Sequence, residues 1–189
     1  MCGVVAIFDP TNRLGDAERD ATGQRMLDRV RHRGPDGIGH RQVGVTWLGH
    51  TRLAIVDLAE GDQPIGSGEG HWLVANGEIY NHEDIRAETS YPFVTDSDSE
   101  VALAAVLSDN PAALGDLRGM FAFIVADEDG GAVVVRDPVG VKPLYWAQVD
   151  GVVYFASEVG AFDAGVRVAR ISALVVPIFG VAVQLAFLV

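Results

Sequence analysis

The chain begins MCGVVAIFDP, and Cys2 is its only cysteine. A lone thiol one residue behind the initiator methionine has two readings. It is a small apolar side chain buried where a strand starts, or it becomes the N-terminus once Met1 is removed. In the second case one residue carries both a nucleophile and an amine base. A free α-amine titrates near about 7.7–8.0, so its neutral form can accept a thiol proton near neutral pH.

Other residues of chemical interest read more plainly by type alone. Asn76-Gly77 follows an apolar stretch and reads as a turn. Arg52 reads as an exposed strand arginine. Asp98 stands one residue after Ser97, at the expected first turn of a helix, where an acid offsets the helix dipole. The five histidines show no metal-ligand spacing and are expected to be surface or structural residues. One cysteine excludes an internal disulfide framework and a cysteine-rich zinc site. No G-x-x-x-x-G-K-[ST] phosphate loop occurs.

The elements that must position these residues are mostly short strands. CGVVAIF is an apolar, β-branched run and predicts a buried strand. DAERDATGQRMLDRVRHR predicts a helix with Ala17, Ala21, Leu27 and Val30 roughly on one side, weakened by Gly23. VGVTWLGHTRLAIVDL predicts two strand-like stretches around a turn. HWLVANGEIYNHEDIRAE predicts a strand, the Asn-Gly turn, then a short helix. In SDSEVALAAVLSD, Ser97 and Glu100 predict a capping box before an apolar run. The segment from Gly119 to Glu158 predicts a run of strands, with Asp-Gly-Gly and Asp-Gly at two turns. Many strands joined by tight turns, with few helices, predict an antiparallel α+β fold rather than a βαβ dinucleotide-binding one.

Bulk properties narrow the function class. At 189 residues with 49% hydrophobic and 21% charged residues, the chain predicts one globular domain. A net charge of −12 argues against a nucleic-acid-binding surface. No signal peptide is apparent at the N-terminus, and a reducing cytoplasm is the expected compartment.

Taken in order, MCGVVAIFDP, RHRGPDG, GHTRLAIVD, NGEIYNHEDIR, SDSE, LRGMFAFIVAD and RDPVGVKPLYW resemble the glutamine-hydrolysing domain of class II glutamine amidotransferases. RHRGPDG and NGEIYN are most similar to the N-terminal domain of glutamine-hydrolysing asparagine synthetases. The resemblance covers about residues 1–163. It implies an N-terminal-nucleophile hydrolase fold, a four-layer αββα sandwich with antiparallel sheets, and hydrolysis of L-glutamine to glutamate and ammonia.

It also implies roles. Cys2 would attack the side-chain carboxamide and form a thioester. The Asn76 amide and the Gly77 backbone N–H would face the oxyanion. Arg52 would hold the α-carboxylate, since its planar fork pairs with carboxylate through two hydrogen bonds. Leu53, Ala54, Ile55 and Val56 would extend that binding segment, mainly as backbone and wall. Asp98 and Glu78 would receive the α-ammonium. RHRGPDG would shape a loop near the site, and RDPVGVKPLYW would fold a strand turn under it, with Lys142 not required for catalysis. No metal or cofactor is expected for the glutaminase step. ATP and Mg belong to the ATP-dependent synthetase domain of such enzymes, which receives the ammonia and has no counterpart in these residues.

The last stretch departs from the resemblance. Residues 164–189 hold only Arg167 and Arg170 as charges, and Ile171 to Val189 hold none. A truncated or frameshifted end is the favoured expectation. A native structural segment, strand-forming or covered by a partner, remains open. So does a membrane anchor, disfavoured because Pro177, Gly180 and Gln184 interrupt a length that barely spans. Two alternatives to a self-sufficient glutaminase also stay open. One is a catalytically silent interaction module; the other is a subunit completed by a separate synthetase chain or by a second copy in a homodimer.

Overall fold

The computed structural model describes residues 1–54, 61–110, 112–164, 166 and 170–173. Ile55, Val56 and most of the apolar tail therefore lie outside the described residues.

The apolar run after Cys2 forms strand β1 (Gly3–Phe8), buried along its whole length. It lies between β3 (Thr46–Arg52) and β9 (Val152–Ala156) in a six-stranded antiparallel sheet. The remaining strands of that sheet are β2 (Gly37–Val43) beside β3, β8 (Tyr145–Val149) beside β9, and a short β10 (Ser172–Ala173) at the far edge. A second antiparallel sheet has the order β4 (Ile65–Gly66), β5 (His71–Ile79), β6 (Gly119–Asp127), β7 (Ala132–Arg136). Its outer face carries α2 (His82–Glu88) and α3 (Glu100–Val106), and α1 (Gly15–Arg29) covers the outer face of the first sheet.

Strand alternation explains the layering. Val4, Ala6 and Phe8 of β1 face Val74, Ala122, Ile124 and Val134 of the second sheet, which makes the inter-sheet core. Val5 and Ile7 point the other way, onto Met26, Leu27 and Val30. Leu73, Ala75 and Ile79 of β5 pack outward against Val101, Ala102 and Leu103 of α3. The central strands of each sheet are thus buried on both faces, and the order helix, sheet, sheet, helix is the expected αββα sandwich.

Several local expectations need correction. In α1 the buried face is Arg19, Thr22, Gly23, Met26 and Leu27, while Ala17 and Ala21 are exposed. Gly23 belongs on that face because a Cβ there would enter the Trp47 indole. The turn expected in VGVTWLGHTRLAIVDL does form, at Gly44-Val45, where it joins β2 to β3, and β3 then runs straight through Gly49. Asn76-Gly77 is not a turn. β5 continues through both, with Asn76 opposite Ala122 and Gly77 opposite Phe121. The pairing with β6 overrides the turn propensity of the dipeptide. The Ser97–Glu100 capping box does not form. Ser97 Oγ accepts the N–H of Ser99, and Glu100 turns back to Val94 and Thr95, so α3 begins at Glu100 without a side-chain cap. The turns at Asp129-Gly130-Gly131 and Asp150-Gly151 do join β6 to β7 and β8 to β9.

Candidate active site

The site is built on the ends of β1 and β3. Their register pairs Gly3 with Thr51, so Cys2 continues it opposite Arg52, with Leu53 just beyond. Three contacts fix Cys2 there. Gly3 N–H donates to Thr51 Oγ1 at 3.1 Å. Arg33 Nε, from RHRGPDG, donates to the Cys2 carbonyl at 2.9 Å. Leu53 N–H donates to Cys2 Sγ at 3.4 Å, and the thiol in turn reaches the Leu53 carbonyl at 3.7 Å. Arg33 is itself held by Glu158 at 2.7 Å. Burial works against the Glu158 charge, yet hydrogen bonds from Arg33 and His32 keep its carboxyl below the ordinary range.

Across the cleft stands the free edge of β5. β4 pairs with β5 only at Trp72 and Leu73. Beyond that, the amides of alternate residues leave the sheet. Ala75 N–H is taken by Gln63 Oε1 at 2.6 Å, and Ile79 N–H by Asp98 Oδ2 at 2.8 Å. The Gly77 N–H lies between these two on the same edge, since strand amides alternate in direction and Tyr80 N–H bonds back to the β6 side at Arg118. A side chain at Gly77 would run into the Met120 carbonyl and Phe121, so only glycine lets the two strands stay paired here. Asn76 is 1% exposed, and its Nδ2 is buried without a hydrogen-bond partner. Leaving such a donor unmade costs about 1–3 kcal/mol, a cost suited to a site that waits for an acceptor.

The structure brings Cys2, Arg52, Leu53, Asn76, Gly77, Glu78 and Asp98 to the wall of one cleft. Ala54 is not part of that wall; its N–H is held by Asp36 at 2.9 Å. Arg52 is buried rather than exposed, and its Nη1 contacts Asp62 at 2.9 Å. Asp98 is 6% exposed. Burial pushes its carboxyl up, the Ile79 N–H opposes this, and the neighbouring Glu78 adds to the rise. Glu78 itself is exposed at the rim. The lone lysine, Lys142, is buried and lines the cleft from the loop after β7.

Three contributors carried no legible signal in the sequence. The Leu53 amide acts through backbone. Gln63 reaches the site from a loop whose Gln63–Pro64 bond is cis. His50 is a buried β3 residue whose Nε2 meets the Ala75 carbonyl at 3.1 Å, tying the sheets together beside the cleft. Burial lowers its pKa to about 4, so it is neutral and donates that hydrogen bond. Among the described residues no group of three His, Cys, Asp or Glu could hold a metal ion, and no helix is long and apolar enough to cross a membrane.

A family model described as a glutamine amidotransferase domain matches residues 1–174. The chain is 39% identical over 163 residues to asparagine synthetase [glutamine-hydrolyzing] 1 of Bacillus subtilis, covering 84% of this chain and 26% of that protein. It is 40% identical over 166 residues to asparagine synthetase B [glutamine-hydrolyzing] of Escherichia coli, covering 85% and 30%. The chain thus spans about a quarter to a third of the length of these curated relatives. In fold it is similar to the glutamine phosphoribosylpyrophosphate amidotransferase of B. subtilis, with a TM-score of 0.71 at 24% identity over 86% of this chain and 43% of that one.

Proposed function

The chain belongs to the glutamine amidotransferase domain family, of the asparagine synthetase type, and from that premise we propose that it hydrolyses L-glutamine to glutamate and ammonia through Cys2. The observation that carries the proposal is one juxtaposition. A thiol at a strand end, already hydrogen-bonded by an amide, shares a cleft with a buried Asn76 amide that has no acceptor.

With Met1 in place the Cys2 nitrogen is a peptide amide and no base. Removal of Met1 would free it as the general base. The amine takes the thiol proton, directly or through water, and the thiolate attacks the carboxamide carbon of glutamine. The carbonyl oxygen becomes an oxyanion facing Asn76 Nδ2 and Gly77 N–H. On collapse the C–N bond breaks, and the proton held by the amine goes to the leaving nitrogen as ammonia departs. A thioester to Cys2 remains. Water, deprotonated by the same amine, attacks it and releases glutamate with the thiol restored. Every group these steps need is a residue of the chain, so the proposed hydrolysis uses no cofactor.

Arg52 is suited to the α-carboxylate and Asp98 with Glu78 to the α-ammonium. Burial raises the pKa of Asp98, and a bound ammonium would favour its charged form. Likeness to proteins named asparagine synthetases supports aspartate as the final ammonia acceptor. The proposal is tested by incubating purified protein with glutamine, following glutamate and ammonia, and recording the intact mass. Release of both in equal amounts by protein lacking Met1 is expected. Absence of turnover by folded protein lacking Met1 would overturn it.

A further inference from the structure

We infer that Arg86 and Glu100 are positioning residues for Asp98, and through it set the discrimination for a substrate that carries an α-ammonium. The inference rests on the glutaminase reading above and deepens it. Asp98 belongs to the irregular segment 89–99 between α2 and α3. That segment has no ladder to hold it; local hydroxyls satisfy some of its backbone groups, and two charged side chains take four others. Glu100, fully buried, accepts from Val94 N–H at 2.9 Å, Thr95 N–H at 2.8 Å and Thr95 Oγ1 at 2.7 Å. Arg86, from the last turn of α2, donates through Nη2 to Thr95 O at 2.9 Å and Ser97 O at 2.7 Å, and its guanidinium lies over the Phe93 ring. The anion thus takes the donors of Val94 and Thr95, and the cation takes the carbonyls of Thr95 and Ser97. The two meet at 4.0 Å.

The clamp ends one residue before Asp98. Ser97 is held at its carbonyl by Arg86, and the Asp98 carboxylate is then aimed at the β5 edge, where it accepts the Ile79 N–H. Glu100 is fully buried and Arg86 is a fifth exposed at its side chain, so each loses solvation to hold this segment. Neither lines the cleft, and neither reaches the reacting atoms. Their effect on substrate therefore passes through where Asp98 stands.

The test compares L-glutamine with glutaramate, the same amide without the α-amine, as substrates of the full chain. Wild-type protein is expected to prefer glutamine. Arg86→Met is expected to lower kcat/KM for glutamine by about tenfold or more, through KM, and to leave glutaramate unchanged, so the preference narrows. Arg86→Lys, which keeps a charged donor, is expected to recover part of it. Glu100→Gln keeps the volume and is expected to move the ratio the same way as Arg86→Met. Should Arg86→Met fail to fold, Thr95→Val removes one hydroxyl bond to Glu100 and is expected to narrow the preference by a smaller factor. Equal losses on both amides, or a fall in kcat alone, would overturn the inference. Wild-type turnover of glutamine with no preference over glutaramate would overturn it and spare the glutaminase reading; no wild-type turnover of either amide would sink both.

Discussion

Cys2 Sγ accepts the backbone N–H of Leu53 at 3.4 Å, because β1 and β3 share a register that continues past Gly3 and Thr51. The donor belongs to the backbone, so side-chain substitution at Leu53 leaves it in place. Substitution of Cys2 isolates the thiol instead. Cys2→Ala and Cys2→Ser are each expected to lose glutamine turnover by at least about 10⁴-fold, since removing a nucleophile from a concerted set removes most of the chemistry. Glutamine binding by calorimetry should persist in both, because Arg52 and Asp98 are untouched. An acyl adduct trapped by acid quench in wild type should be absent from both variants.

Asn76 separates transition-state stabilisation from binding. Its Nδ2 has no partner in the free protein. Asn76→Ala is expected to lower kcat by about 100- to 1000-fold with KM little changed, the loss found when one oxyanion donor is removed. It also removes a buried unsatisfied donor, so the melting temperature should not fall as it would for an ordinary buried polar truncation. Gly77→Ala is expected to behave oppositely. Its methyl would meet the Met120 carbonyl, costing about 1–3 kcal/mol in stability, visible as a lower melting temperature.

These two residues also mark what was legible in the sequence. Cys2, Arg52, Asn76, Gly77, Glu78 and Asp98 could be named from motif order, and all line one cleft. Residue type alone misread their surroundings. Asn-Gly has the propensity of a turn, but pairing along the whole of β5 with β6 outweighs it, and the dipeptide becomes a strand edge. Ser97 and Glu100 have capping-box spacing, but the buried Glu100 carboxylate finds three donors in Val94 and Thr95 and bonds there instead. The buried strand β1 was legible because burial on both faces makes a continuous apolar run. The α1 face was not, since Gly23 and Arg19 are buried for reasons of fit and ion pairing that periodicity does not carry. Gln63 and the Leu53 amide act through a loop and a main chain, where side-chain patterns say nothing.

Asp98 gives a pH dependence with a defined sign. Burial, with Glu78 adding, raises its pKa in the folded protein above the unfolded value. A raised folded pKa means the folded state binds the proton more readily, so this group's stabilising contribution is complete below the unfolded pKa and is lost as pH rises through the folded one. Asp98→Asn should therefore melt at a higher temperature than wild type at pH 7, with the gain shrinking as pH falls towards 4. Function runs the other way. An α-ammonium needs the ionised carboxylate, so wild-type KM for glutamine should rise as pH falls through the raised pKa, and Asp98→Asn should show a high KM at every pH. Kinetics and melts on the same samples check both.

Asp62 bears on how the α-carboxylate site is kept before substrate arrives. Arg52 is buried at its head, yet its Nη1 contacts the carboxylate of Asp62, whose side chain is 80% exposed. An exposed acid pairs weakly, since its charge is well solvated without a partner. It nonetheless occupies a donor that the substrate carboxylate is proposed to use, so glutamine must displace or share it. Asp62→Asn keeps the shape and removes the competing charge. It is expected to lower the glutamine KM about two- to fivefold at low salt, the scale of one exposed ion pair worth about 0.5–1 kcal/mol, with kcat unchanged. The difference between variant and wild type should shrink as salt screens the pair. Arg52→Lys should raise KM by tenfold or more, because a single ammonium cannot reproduce the fork that addresses both carboxylate oxygens. If Asp62→Asn instead raised KM, Asp62 would be orienting Arg52 towards substrate, and competition at Nη1 would be the wrong account of the pair.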